Sequence, residues 1–160
     1  MDMYFKQRLF SWLDSYDIYD DANNTMYTVK SELSWGHCLH VIDAAGNHVG
    51  TVKEKVLTWL PKFEIYDKDQ YVGMIRGHFS LIHPKYDIDF NGWQVAGDVW
   101  EWNYTIVDKE GSQVASISKD LWHLTDCYRI SVAKPEDALY VLMMVLAIDA
   151  QKCSDSAYGD

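Results

Sequence analysis

The chain has 160 residues, of which 48% are hydrophobic and 14% aromatic, with seven Trp and eleven Tyr. This length and composition predict one compact β-rich domain over residues 1–160 and exclude a disordered chain. The 14 basic and 24 acidic residues give a net charge of -10. Such a charge repels phosphate backbones, so we expect no nucleic acid as a partner.

The amino terminus and the cysteines predict a cytoplasmic protein with free thiols. Residues 1–6 lack the positive-then-apolar order of a secretory signal. Cys38, Cys127 and Cys153 are an odd, widely spaced set without a C-x-x-C pair. We therefore expect neither a disulfide framework nor a zinc or thiol-redox motif built on paired cysteines.

Alternating apolar and polar residues predict about twelve antiparallel strands, each with one dry and one wet face. Near the end of the series, for example, Tyr128, Ile130 and Val132 share a face opposite Arg129 and Ser131. The predicted strands lie near 4–10, 15–19, 26–33, 37–42, 48–57, 62–66, 71–79, 84–89, 93–98, 102–107, 112–118 and 127–132.

A recurring hairpin supports these strands. An apolar strand ends in Asp, a short polar turn follows that often contains Gly, and the next strand begins with Val and a small residue. Asp and Asn can bond their own turn backbone, and Gly accepts positive φ. The strand-ending Asp residues are Asp43, Asp67, Asp89 and Asp108, with a looser fifth copy ending at Asp20.

The last predicted element is a helix over residues 136–150. Residues 138–148 are apolar without interruption after Pro135. A surface helix has a single apolar stripe, so this one must be enclosed. Eleven residues are too few for a bilayer, which needs about 20, and we expect no transmembrane segment. The sequence thus predicts a mainly β fold, a closed antiparallel barrel over residues 3–133 around a buried carboxyl-terminal helix.

Several stretches of the chain carry a resemblance to a known family. They are 5–12, 56–63, 97–100, 104–106, 114–119, 126–130 and the helix end 147–149. In order and content they resemble the LURP-one-related proteins, which belong with the tubby carboxyl-terminal domain and the phospholipid scramblases. The resemblance covers nearly the whole chain and implies a twelve-stranded antiparallel barrel around a hydrophobic helix.

The resemblance implies no site residue. Tubby domains bind phosphoinositide headgroups through a basic site that has no matching residues in this sequence. Scramblase-type proteins have an acidic calcium segment just before the helix, whereas in 126–132 only Asp126 is acidic. That departure argues against calcium control.

One segment nearly matches a calcium-binding loop. Asp87, Asp89, Asn91, Gly92 and Asp98 approach the EF-hand pattern, with Asp in place of the final Glu. An EF-hand requires a helix on each side, but both flanks read as strands of the repeated hairpin. We therefore predict a turn and no metal site there.

The histidines and acidic residues predict no catalytic or metal site either. His37 and His40 are three apart on a strand, so they point to opposite faces and cannot converge on one ion. No nucleophile or phosphate-binding motif occurs. We expect no enzyme activity, no catalytic residues and no cofactor.

A basic, apolar hairpin tip is the remaining candidate site. Lys53, Lys55 and Lys62 flank a segment that includes Trp59 and Leu60. Such a tip suits contact with a membrane interface, where each lysine contributes about 1 kcal/mol near an anionic surface. The alternative is that Trp59 and Leu60 close one end of the barrel.

The preferred functional hypothesis is a non-enzymatic binding or scaffold domain with a protein partner that the sequence does not identify. The second hypothesis is a peripheral phospholipid or phosphoinositide headgroup binder that acts as a membrane tether.

Overall fold

The computed structural model describes residues 1–6, 15–34, 36–56, 58, 60, 62–78, 85–120 and 127–157. Within them lie twelve strands, a short 3-10 turn at Pro135–Asp137 and one α-helix, α1, at Ala138–Ala157. The strands are β1 Asp2–Lys6, β2 Tyr16–Tyr19, β3 Thr25–Ser34, β4 Gly36–Asp43, β5 His48–Glu54, β6 Lys62–Asp67, β7 Gln70–His78, β8 Lys85–Asp89, β9 Gln94–Asp98, β10 Asn103–Val107, β11 Gln113–Asp120 and β12 Cys127–Val132.

The strands form one antiparallel sheet that curves into a nearly closed barrel. Its order is β8-β7-β6-β5-β4-β3-β2-β1-β12-β11-β10-β9. The ladder between β1 and β12 joins the first and last strands, from Asp2 opposite Ser131 to Lys6 opposite Cys127. Among the described residues, β8 and β9 carry no ladder to each other. We call the gap between β8 and β9 the seam.

Successive side chains of the strands lie alternately on the inner and outer faces of the barrel, as the sequence predicts. Val29 lies opposite Val41 on β3 and β4, and both are fully buried. Their outward neighbours Lys30 and His40, also paired, reach solvent. The dry inner face and wet outer face of the predicted barrel are confirmed here.

Helix α1 fills the barrel. Every residue from Val141 to Ile148 is at most 1% exposed, on all sides of the helix. The helix approaches the wall so closely at Gly50 of β5 that an added Cβ would lie 2.6 Å from the Met143 sulfur. The enclosed apolar helix is thus confirmed, although α1 ends at Ala157, seven residues beyond its predicted end. No helix in the described ranges is sufficiently long and apolar to cross a bilayer.

Three of the predicted hairpin turns have the same hydrogen bonds. Asp20, Asp43 and Asp108 each accept backbone N–H bonds from the residues two and four positions later, at 2.7–3.0 Å. The residue three positions after each Asp has positive φ: Asn23 at 62°, Gly46 at 86° and Gly111 at 81°. The Asp carboxylate thus holds each turn as the repeat predicts.

The near match to a calcium loop is also a turn between two strands, but among the described residues β8 and β9 do not pair, so the hairpin predicted at Asp89 is not formed there. The turn joins β8 to β9, and Asn91 and Gly92 have φ of 50° and 67°. The N–H of Trp93 donates to the oxygen of Phe90 at 3.1 Å. Two positive φ angles in succession suit a tight turn, and strands rather than helices flank it. The prediction of a turn is confirmed.

Candidate functional site

Three adjacent strands bring a mixed polar cluster to the outer face of the wall. Cys38 on β4 lies opposite Glu32 on β3 and opposite Lys53 on β5. His40, two residues after Cys38, lies on the same face and opposite Thr51 of β5. The register therefore places carboxylate, thiol and imidazole side by side. We call Glu32, Cys38, His40, His48 and Thr51 the wall cluster.

Short distances connect the members of the wall cluster. His40 Nε2 lies 2.9 Å from Glu32 Oε2 and 3.6 Å from Cys38 Sγ. On the other side of the ring, His40 Nδ1 lies 3.3 Å from Thr51 Oγ1 and 3.4 Å from His48 Nε2. Thr51 Oγ1 is also 2.8 Å from His48 Nε2. The carboxylate oxygen, the sulfur and the His40 nitrogen all lie within 4.8 Å of one another.

The surroundings shift the pKa values of two members of the wall cluster in opposite directions. The hydrogen bond from His40 lowers the pKa of Glu32, and Lys53 lowers it further. Burial raises the pKa of the Cys38 thiol, which is only 6% exposed; Glu32 also raises it, while Lys53 lowers it. The cluster thus combines an ionised carboxylate with a thiol that keeps its proton at neutral pH.

The two histidines of β4 lie in different surroundings. His37 does lie on a different face from His40, since it contacts Glu54 at 3.7 Å and its backbone N–H donates to Glu54 at 2.9 Å. Burial lowers the pKa of His37, against the effect of Glu54. The closer pair is Cys38 with His40, whose two-residue spacing was readable from sequence. The proximity of Glu32 to this pair could not be predicted from the sequence, because it depends on the register between β3 and β4.

The seam is the second candidate site. It contains a cleft of about 600 Å³ lined by apolar side chains such as Ile88 and Val95 and by polar ones such as Arg76, Asp87 and Gln94. Ile88 lies opposite Ile75, which is fully buried, yet Ile88 itself remains partly exposed. The inner face of the barrel is thus less well covered at the seam than at the neighbouring strand.

An exposed tryptophan follows the edge strand β9. Trp100 is 44% exposed, and its carbonyl accepts a bond from Lys152 Nζ at 3.1 Å. The same ammonium donates to the Val99 carbonyl at 3.0 Å and lies 4.2 Å from the centre of the Trp102 ring. Helix α1 thereby fixes the backbone around Trp100, whose side chain stays available to solvent.

The described residues of the predicted membrane tip lie in different environments. Lys53 is exposed on the wall, next to the wall cluster. Lys55 forms an ion pair with Glu64 at 3.1 Å, and its backbone N–H donates to the carbonyl of Lys62 at 2.8 Å. Lys62 and Leu60 are partly buried. Trp59 lies outside the described residues.

Helix α1 also carries an ionisable side chain, Asp149, which is only partly exposed. Burial raises the pKa of Asp149 on α1 to about 6, an effect that Lys152 reduces. Burial, and next the charge of Asp149, raise the pKa of Tyr104. The Tyr104 hydroxyl is buried and has no hydrogen-bond partner among the described residues. The interior is thus electrostatically unfavourable for a charge at Asp149.

Comparisons with known proteins agree with this architecture. A protein of Bacillus subtilis (strain 168), Uncharacterized protein YxjI, is 26% identical over 150 residues, which cover 93% of this chain and 92% of that protein. An X-ray structure of a protein from Arabidopsis thaliana matches with a TM-score of 0.62 and 15% identity, over 92% of this chain and 89% of the other. That structure supports the fold alone. The model of the LURP-one-related family matches residues 1–149, and the chain belongs to this family.

Proposed function

We propose that this chain is a non-enzymatic, cytoplasmic binding domain that binds an extended segment of a partner protein along the seam. The observation that carries the proposal is that, within the described part of the chain, no ladder joins β8 to β9. The buried free thiol of Cys38 suits a reducing compartment.

The packing of α1 directs binding to the outside of the barrel. In barrels of this size the interior is the usual ligand cavity. Here the residues from Val141 to Ile148 occupy it with at most 1% exposure each. A ligand therefore has the outer wall, the two rims and the seam available.

The chemistry of the seam favours an extended peptide. A strand paired on one side presents N–H and C=O groups on the other, and an added strand satisfies them. The partly exposed side chains of Ile88 and Val95 would be covered by the same strand. The two strand edges would supply main-chain affinity, and the mixed lining of the cleft would supply contacts for both apolar and polar side chains.

Trp100 is the expected anchor of such a complex. Tryptophan is enriched among the residues that dominate interface energies. Trp100 follows β9 by two residues, and the bonds of Lys152 to the local backbone hold this segment in place. The anchor is thus pre-organised beside the edge strand, which lowers the entropic cost of binding.

The test is selection of peptides from a random library against the full chain, followed by amide chemical-shift mapping. We expect bound peptides to perturb residues 85–89 and 94–98. Trp100→Ala should weaken binding at least about tenfold. Tyr71→Ala is the matched control, since Tyr71 is another exposed aromatic residue, at 48%, but lies at the start of β7.

Two results would contradict the proposal. One is a selection that yields no peptide binding at the seam; the other is binding that Trp100→Ala and Tyr71→Ala weaken equally. Perturbations confined to residues 53–56 would instead favour the membrane-facing tip.

The phospholipid or phosphoinositide tether remains the second candidate because of one exposed apolar residue. Val56 is 48% exposed and follows Lys55, near the exposed Lys53. The ion pair of Lys55 with Glu64 reduces the positive charge that this tip offers to a membrane. The net charge of -10 further opposes binding to anionic lipid.

Vesicle sedimentation distinguishes this candidate. We expect no retention of the chain on vesicles of phosphatidylcholine with phosphatidylserine or a phosphoinositide. Salt-sensitive retention that is lost in a Lys53→Glu, Lys55→Glu variant, and reduced in Val56→Ser, would place the lipid hypothesis first.

A further inference from the structure

We propose that the wall cluster is a binding site for a divalent transition-metal ion, zinc above all, with Glu32, Cys38 and His40 as its ligands. This inference is independent of partner binding at the seam. Sulfur, nitrogen and carboxylate oxygen together form a donor set typical of zinc in proteins.

The observed distances fit a tetrahedral ion with little movement. With Zn–S of about 2.3 Å and Zn–N of about 2.0–2.1 Å, tetrahedral angles place sulfur and nitrogen about 3.5 Å apart. The Cys38 Sγ to His40 Nε2 distance is 3.6 Å. Glu32 must retreat slightly from its 2.9 Å contact with His40, and its side chain is exposed and able to do so.

The far side of the His40 ring already has the partners that a metal-bound imidazole requires. A ligand histidine donates its other N–H to an acceptor, which fixes the tautomer and the ring plane. Here His40 Nδ1 lies 3.3 Å from Thr51 Oγ1, and that hydroxyl lies 2.8 Å from His48 Nε2. An N–H of His40 can thus donate to Thr51, whose hydroxyl donates to His48, leaving Nε2 for the ion.

The wall gives the three ligands rigid supports. Cys38 and His40 are on β4, which is paired to β3 on one side and β5 on the other. Cys38 is buried, whereas Glu32 and His40 reach solvent. An ion can therefore enter from outside, and with three protein ligands its fourth position is left to water.

The test uses the chelator-treated full chain titrated with Zn²⁺ by calorimetry, and with Co²⁺ as a spectroscopic substitute. We expect one ion per chain, release of the Cys38 thiol proton to the solvent on binding, and a thiolate-to-cobalt charge-transfer band. Cys38→Ser should abolish the band, and Glu32→Gln should weaken Zn²⁺ binding strongly. Glu32 is exposed, so this second variant tests the site even if Cys38→Ser does not fold.

Two further variants separate ligands from supporting residues. His48→Gln should lower affinity about 10–100-fold while keeping the band, as loss of an outer partner does. His37→Gln is the matched control, a histidine of the same strand on another face, and should change nothing. Cobalt binding without a thiolate band, or Zn²⁺ affinity unchanged in Glu32→Gln, would overturn the proposal and leave only adventitious ion binding.

Discussion

The wall formed by β3, β4 and β5 differs from the seam between β8 and β9 in how its backbone N–H and C=O groups are paired in strand ladders. Strand β4 has a ladder on both sides, and its inner residues Leu39 and Val41 are buried. Strands β8 and β9 each have a ladder on one side among the described residues. The repeated turns thus join strands that have a ladder on both sides in one place, and in another place strands that have a ladder on one side only among the described residues.

This difference assigns separate roles to the two regions. Side chains on a fully paired wall are held at fixed spacings, which suits a site that needs several donor atoms at defined distances. Strand edges without a ladder instead offer backbone N–H and C=O groups, which suit recognition of an extended chain. Both regions depend on α1, because the helix supplies the core under each of them.

The largest expected effect is unfolding of the domain, which would abolish the wall and the seam together. Leu142→Asp places a charge in the barrel interior, at a residue with 0% exposure. An unpaired buried charge costs several kcal/mol or more, comparable with the roughly 5–15 kcal/mol of a small domain's stability. We expect no cooperative melting transition by circular dichroism. Leu142→Met should cost less than about 1.5 kcal/mol and keep the transition; a folded Leu142→Asp protein would refute the enclosed helix.

The comparison is sharpened by truncating two isoleucines that face each other across β7 and β8. Ile75 is fully buried, whereas its partner Ile88 is partly exposed at the seam. Ile75→Ala should cost about 2–5 kcal/mol, and Ile88→Ala roughly half as much, since part of its side chain already meets water. Urea denaturation measures both; equal losses would mean that the seam is as well packed as its neighbour.

A pH-dependent effect tests the interior beneath both regions. The pKa of Asp149 is raised from 3.8 to about 6 in the folded protein, so folding favours its neutral form. Its ionisation lowers stability progressively as pH rises from about 4 to about 6, by at most about 3 kcal/mol. Asp149→Asn removes this penalty, although Lys152 then loses its favourable partner.

We therefore expect Asp149→Asn to be more stable than the unchanged chain at pH 7.5 and similar to it near pH 4. The free energy of unfolding of both proteins, measured across this range, checks the sign. A variant less stable at pH 7.5 would show that Asp149 is favourably paired in the folded state.

The smallest expected effect concerns the turn that joins the wall strands β4 and β5. Asp43→Ala removes the acceptor of two backbone N–H bonds, from Ala45 and Asn47. Asp43→Asn keeps an acceptor oxygen and serves as the control. We expect a lower melting temperature for Asp43→Ala than for Asp43→Asn. The pKa of Asp43 is lowered by its bonds from Asn47, so its benefit should fade as pH falls below about 4.

Most of the fold was predictable because local patterns determine it. Alternation identified the strands, the Asp residues identified the turns, and uninterrupted apolarity identified α1. The open seam was not predictable, since closure of a barrel depends on the distance between β8 and β9 rather than on either sequence. Only part of the wall cluster could be predicted. Cys38 and His40 share a face because they are two residues apart on a strand, but Glu32 joins them only through the register between β3 and β4.

Hydrogen exchange of individual amides, followed by NMR in the isolated chain, tests the difference between wall and seam most directly. Consecutive amides of β4 around Leu39–Val41 should all exchange slowly, because ladders on both sides protect them. In β9, amides that point to β10 should exchange slowly and the alternate ones rapidly. Slow exchange at every amide of Gln94–Asp98 would contradict the account, because it would mean that the free edge of β9 is already paired.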